Sequence, residues 1–168
     1  MTVVLRTLTG ADLPLLSGGD SPFDDFGPRP SHEEVPPPDL NGSGGFAITD
    51  EHDALLGSLG WRWQQWGPNE QSRNPMIGIW LGVRARGRGL GTEAQRQLAD
   101  LFFRHTTTNR VEAHTDVENL AEQRALEKAG FTREGITRGA QWRDGAYRDG
   151  YLYSILRAEW QNTGSPAR

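Results

Sequence analysis

One stretch near the middle of the chain constrains the fold more than any other. Met76–Val83 reads Met-Ile-Gly-Ile-Trp-Leu-Gly-Val, apolar on both faces, which predicts a strand inside a sheet rather than at its rim. A basic glycine loop follows, Arg84-Ala-Arg86-Gly87-Arg88-Gly89-Leu90-Gly91. A helix then runs from Thr92 to about Arg104, with Leu90, Ala94, Leu98, Leu101 and Phe102 at steps of four and three on one face. A buried strand handed through a glycine turn to an amphipathic helix demands a layered α/β architecture.

The remaining segments agree with that plan. Thr2–Arg6 predicts a first strand, and Asp12 with Leu13, Leu15 and Leu16 a short helix. Phe46–Asp50 and Ala54–Trp66 predict a hairpin turning at Glu51-His52-Asp53. Arg110–Asp116 is the next strand, and Asn119–Ala129 is a helix closed by Gly130. A strand from Phe131 to about Arg138, a polar tip at 140–149 turning at Asp144-Gly145, and a strand at Tyr151–Leu156 complete the order. Residues 18–45 hold six glycines and six prolines in 28 positions and predict a long loop, a length that is usually functional or disordered. The expected division is one domain over residues 1–160 and a tail over 161–168.

Composition narrows the chemistry. The 168 residues suit one domain. With 18 basic and 22 acidic residues, the net charge of −4 does not point to nucleic acid. The absence of cysteine excludes disulfides, thiolate-bound zinc, iron–sulfur clusters and a cysteine-bound acyl intermediate. No apolar run reaches the length of a membrane span, and the first residues lack a signal layout, so a cytoplasmic protein is expected.

The loop is built for an anion. Glycines let the backbone turn and a ligand approach, the first helical amides are unpaired donors at the positive end of the dipole, and three arginines add charge. A P-loop needs a lysine that is not there. A dinucleotide fingerprint needs the third glycine one place later, although Glu112 stands at about the right distance for a ribose contact.

Arg86-Gly87-Arg88-Gly89-Leu90-Gly91 is Arg-x-x-Gly-x-Gly, which resembles the acetyl-CoA loop of the GNAT N-acetyltransferase superfamily. Val111–Asn119, the run Leu120–Phe131, Arg133-Glu-Gly135 and the closing Tyr151–Trp160 resemble its RimJ/RimL-like branch. The resemblance spans roughly Ile77–Trp160. It implies a mixed α/β sheet, a single GNAT-type acyl-CoA N-acyltransferase domain whose central strands splay apart, and acetyl-CoA as cosubstrate. It also implies that backbone groups of Leu81 and Val83 meet pantetheine. The loop from Arg86 through Gly87, Arg88, Gly89, Leu90, Gly91 and Thr92 would hold the pyrophosphate, and Asn119 would lie beside the pantetheine.

Two departures keep the catalytic groups open. This branch usually carries serine where Glu122 stands, and the tyrosine of other members aligns with Leu126. Glu122 is either a catalytic or substrate-binding group or the second half of an Asn119-x-x-Glu122 capping box. Glu112, His114 and Asp116 alternate onto one strand face, so His114 and Glu112 are candidate bases and equally a hydrogen-bonded strand face. On the acceptor side, Asp24, Asp25 and Phe26 in the long loop, with Trp66, would suit a cationic amine.

The expected function is acetyl transfer from acetyl-CoA to a primary amine, on a protein N-terminus or a small molecule, by direct attack. The alternatives are a CoA-binding sensor with little turnover and a nucleotide-dependent oxidoreductase. No metal, nucleic acid or membrane is expected, and the resemblance allows a homodimer.

Overall fold

The computed structural model describes residues 2–16, 20–27, 35 and 37–164. Seven strands form one mixed sheet in the order β1-β2-β3-β4-β5-β7-β6. The strands are β1 (Val4–Thr7), β2 (Gly44–Thr49), β3 (Leu55–Gln65), β4 (Arg73–Leu81), β5 (Arg110–Asp116), β6 (Thr132–Arg143) and β7 (Ala146–Leu156). Helices α1 (Leu90–His105) and α2 (Leu120–Ala129) follow β4 and β5, and α3 (Arg157–Gly164) closes the chain. The fold therefore continues past residue 160, where the tail was expected. The expected tip at 140–149 is also shorter, because β6 and β7 both run to a two-residue turn with Asp144 at φ 49° and Gly145 at φ 67°.

The core follows from the alternation along the strands. Leu59, Trp61, Ile77, Val111 and Ala113 are buried with Ala94, Leu98 and Phe102 of α1 and Leu126 of α2. Trp61 meets the Phe102 ring edge-on at 5.5 Å, and Trp63 does so at 6.0 Å. The odd residues of β4 thus face the helices, and the even residues face the opposite side of the sheet. Arg157 fastens the end of α1, donating to the carbonyls of Phe103 at 2.6 Å and Thr106 at 2.8 Å.

What positions the site is a failure of pairing. β4 pairs with β3 from Arg73 to Leu81, but with its parallel neighbour β5 only at Met76–Glu112 and Ile77–Ala113. Beyond Ile77 the two strands diverge, and the β5-facing edge of β4 has no ladder partner. The splay expected between the central strands is present.

Candidate active site

A cavity of about 540 Å³ occupies this divergence and draws its walls from both faces of the sheet. Ile77, Ile79, Ala113 and Thr115 line it from the helix side, joined by Asn119 and Glu122 at the start of α2. Ser58, Gly60, Met76, Trp80 and His114 line it from the opposite side. The cavity therefore fills the passage between β4 and β5 and is lined from both faces of the sheet.

The glycine loop joins β4 to α1, with Gly91 packed on Ile79 of the cavity wall, and none of its own residues lines the cavity. Gly87 and Gly89 adopt φ +70° and +79°, conformations costly for any residue with a Cβ. Gly89 is the N-cap of α1 and offers no side-chain acceptor, so the first-turn amides face outward uncapped. Gly91 is buried, and a Cβ there would come within 3.3 Å of Leu81 Cδ1, so the missing side chain lets the helix sit close on β4. These are the features a pyrophosphate site needs.

Two details differ from the expected cofactor contacts. Val83 does not continue β4; it opens a one-turn 3-10 helix and is 62% exposed, so the strand edge ends at Leu81. Arg86 also already has partners. Its Nε donates to the Leu81 carbonyl at 2.8 Å, and its guanidinium lies 2.6 Å from Asp20 Oδ1 and 3.8 Å from Asp24 Oδ2. Arg86 in turn holds the Asp20 carboxyl below the usual carboxylate range.

At α2, the Asn119 side chain accepts from the Glu122 amide at 3.3 Å and caps the helix. The reciprocal half of the capping box is not made: the Asn119 amide donates to the Asp116 carbonyl at 3.0 Å. The Glu122 carboxylate instead accepts from Gln95 Nε2 of α1 at 2.9 Å. Burial among apolar walls pushes the Glu122 carboxyl up to about 7, with the Gln95 hydrogen bond acting weakly in the other direction.

On the far side of the sheet the polar row of β5 divides. Glu112 is fully buried, with its carboxylate 2.5 Å from Arg110 Nε and accepting from Trp66 Nε1 at 2.7 Å. Neither Glu112 nor Trp66 lines the passage. His114 does line it. Its Nε2 lies 2.5 Å from Thr137 Oγ1, and its Nδ1 is buried with no hydrogen-bond partner. Burial, reinforced by the nearby Arg62 charge, lowers the His114 pKa from its ordinary value, and Asp116 opposes this. The shift favours the neutral ring.

The acceptor-side wall is completed by the long loop and the β6–β7 hairpin. Asp24, Phe26 and Phe23 reach the passage; Asp25 does not. Arg143, near the hairpin tip, forms a buried ion pair with Asp116, donates to the Pro22 carbonyl, and lies 5.2 Å from the Phe23 ring centre. The Asp144 amide donates to the Asp25 carbonyl at 3.0 Å. Arg143, Gln141 and Gln95 escaped the sequence reading. The Asp144-Gly145 signal marked a hairpin but not what its tip would touch. Among the described residues, no group of three or more His, Asp or Glu is placed to hold a metal ion.

The acetyltransferase (GNAT) domain family matches residues 3–132, and the chain belongs to it. It is 29% identical over 113 residues to the uncharacterized N-acetyltransferase p20 of Bacillus licheniformis, covering 67% of this chain and 61% of that protein. It is 37% identical over 83 residues to the probable N-acetyltransferase YjcK of Bacillus subtilis (strain 168), covering 49% of this chain and 46% of the relative. A putative ribosomal N-acetyltransferase of that strain, YdaF, is 30% identical over 93 residues, covering 55% of this chain and 51% of the relative. The chain thus spans about half to three fifths of the length of the curated relatives it matches.

In fold, it is similar to a spermidine N-acetyltransferase from Vibrio cholerae crystallised with CoA and spermine. The TM-score is 0.76 at 20% identity, over 95% of this chain and 98% of the other. A ribosomal-protein-S5-alanine acetyltransferase from Vibrio fischeri gives a TM-score of 0.74 at 16% identity, over 95% and 96% of the two chains.

Proposed function

We propose that this chain transfers an acetyl group from acetyl-CoA to a primary amine by direct attack within a ternary complex. The observation that carries the reading is the cavity between the diverging β4 and β5, lined from both faces of the sheet, with Asn119 and Glu122 on the helix side and the half-buried His114 on the other. The glycine loop and the amides of Leu90, Gly91 and Thr92 hold the pyrophosphate. The free edge of β4 before Leu81 receives the pantetheine as an added strand, and Asn119 lies beside it.

His114 Nδ1 takes the proton from the acceptor amine, directly or through one water. The amine nitrogen forms its bond to the thioester carbonyl carbon, and the carbon–sulfur bond breaks as the tetrahedral adduct collapses. An amide near Leu81 stabilises the oxyanion. Glu122, near half protonation at neutral pH, returns a proton to the sulfur, taking over the task of the hydroxyl common in this branch. The products are an N-acetyl amide and free CoA.

The acceptor is a protein N-terminal amine or a small amine, in keeping with one relative named a putative ribosomal N-acetyltransferase and a structural neighbour named a spermidine N-acetyltransferase. Asp24 and Phe26 on the cavity wall favour a cationic nitrogen through charge attraction and ring contact. The motifs from Val111 to Phe131 support placement in the RimJ/RimL-like branch. Acetyl-CoA supply makes the cytoplasm the place of action; no helix among the described residues is long and apolar enough to cross a membrane. Light scattering tests the homodimer that the resemblance allows.

The test is calorimetric titration with acetyl-CoA, CoA and NADH, then an amine panel read by thiol release. Micromolar acetyl-CoA binding and amine-dependent thiol release are expected. Binding without release across the panel would make the chain a CoA sensor, and NADH binding alone would revive the dinucleotide reading.

A further inference from the structure

The surroundings of His114 determine which of its nitrogens is free. Thr137 Oγ1 is 3.1 Å from the Gly150 carbonyl oxygen as well as 2.5 Å from His114 Nε2. A carbonyl oxygen only accepts, so the hydroxyl proton is committed to Gly150. The hydroxyl oxygen is then the acceptor for the imidazole, which places the proton of the neutral ring on Nε2. The lone pair on Nδ1 is buried and without a donor. The opposite assignment would leave an Nδ1–H buried with no acceptor and break the Thr137 hydroxyl's bond to the Gly150 carbonyl, the costlier arrangement.

A second contact comes from the backbone of β7. A Cβ built on Gly150 would lie 2.0 Å from His114 Cε1 and 2.2 Å from Nε2. The ring therefore rests against bare backbone, in space that any side chain at 150 would take. Thr137 is also the last residue of β6 in register with β7 before a bulge, paired with Gly150, so hydroxyl and glycine are presented together.

We propose that Thr137 and Gly150 are positioning residues that hold His114 as its Nε2–H tautomer and keep Nδ1 as the bare proton acceptor of the transfer reaction. This rests on the reading of His114 as the base. The charged groups around the ring are Arg62 of β3 and Asp116 of its own strand, and Asp116 is itself held by Arg143 of β6. The neighbouring cavity residues of β4, Met76 and Gly78, and the seat on β7, Gly150, carry no charge.

The test begins with nitrogen-15 NMR of histidine-labelled protein, His114→Gln identifying the His114 signals. The expected wild-type signature is a protonated Nε2 and an unprotonated Nδ1. Thr137→Val is expected to mix the tautomers and lower kcat. It should also move the acidic limb of kcat/KM to lower pH, because the imidazolium loses its acceptor. Thr137→Ser should restore all three.

Gly150→Ala, which displaces the ring without touching the hydroxyl, should lower kcat while acetyl-CoA affinity stays unchanged. A wild-type ring protonated on Nδ1 overturns the proposal without any variant. So does a Thr137→Val enzyme that keeps the wild-type tautomer and limb while His114→Gln loses the limb; His114 then remains the base. A limb that survives His114→Gln removes the base reading and the inference with it.

Discussion

At the scale of single residues, Glu122 links stability to pH in an unusual direction for an acid. Its carboxyl titrates near 4.5 in the unfolded chain and at about 7 in the fold, so the folded state binds the extra proton between these values. Its contribution is present below pH 4.5 and is lost as pH rises through 7. Glu122→Gln, which cannot ionise, should raise stability at pH 8 by about 1–2 kcal/mol after discounting for solvent at the cavity mouth, and by much less at pH 5. Urea unfolding at the two pH values checks this. The same variant should lower kcat if the carboxyl returns the proton to sulfur. Gly89 supports a second expectation. Nothing lies within 4 Å of a Cβ placed there, but φ is +79°, so Gly89→Val fails through backbone strain rather than collision. That strain is about 1–2 kcal/mol. The larger effect should be loss of the amide cradle, read by calorimetry as at least a tenfold weaker acetyl-CoA affinity.

At the scale of elements, the β6–β7 hairpin is the part on which the acceptor wall hangs. Arg143 reaches across to Asp116, and both side chains are 4–5% exposed. Removing one partner leaves a charge stranded in the interior, which costs about 3–5 kcal/mol. Arg143→Leu should therefore destabilise by that order and also release residues 20–27, which Arg143 and the Asp144 amide pin through Pro22 and Asp25. Denaturant unfolding reads the first effect, and a raised KM for the amine with unchanged acetyl-CoA affinity reads the second. The same loop segment touches the cofactor end, where Asp20 occupies the Arg86 guanidinium. If Arg86 is a phosphate ligand, Asp20→Asn should tighten acetyl-CoA binding severalfold, most clearly at low salt, since this half-exposed pair is screened. An unchanged affinity would restrict Arg86 to holding the loop.

At the scale of the molecule, the proposed function brings two substrates to one reaction centre from opposite faces of a sheet. Such a passage favours simultaneous occupancy over a relay through an acylated enzyme. No cysteine exists to carry the acyl group as a thioester. Initial-rate plots against both substrates should intersect rather than run parallel. Parallel lines would require a covalent carrier and sink the direct-attack mechanism.

What the amino-acid sequence determined by itself is everything local in origin. The strand of Met76 onward, the glycine loop, the caps Asn119 and Gly130, and the Asp144-Gly145 turn are written in neighbouring residues, because periodicity, capping and positive φ are short-range properties. The loop motif also carried the family and the cofactor class. The tertiary structure alone decided which polar groups are paired with distant segments and which line the cavity. Glu112, His114 and Asp116 look equivalent in the strand pattern. Arg110 and Trp66 hold one oxygen of the first, which does not line the cavity, Arg143 claims the third, and His114 lines the cavity with a buried Nδ1 that has no partner. Glu122 reads as a capping-box acid until Gln95, 27 positions away, takes its carboxylate and burial raises its pKa. Burial and long-range pairing set these roles, and both are properties of contacts between distant segments that no local pattern encodes.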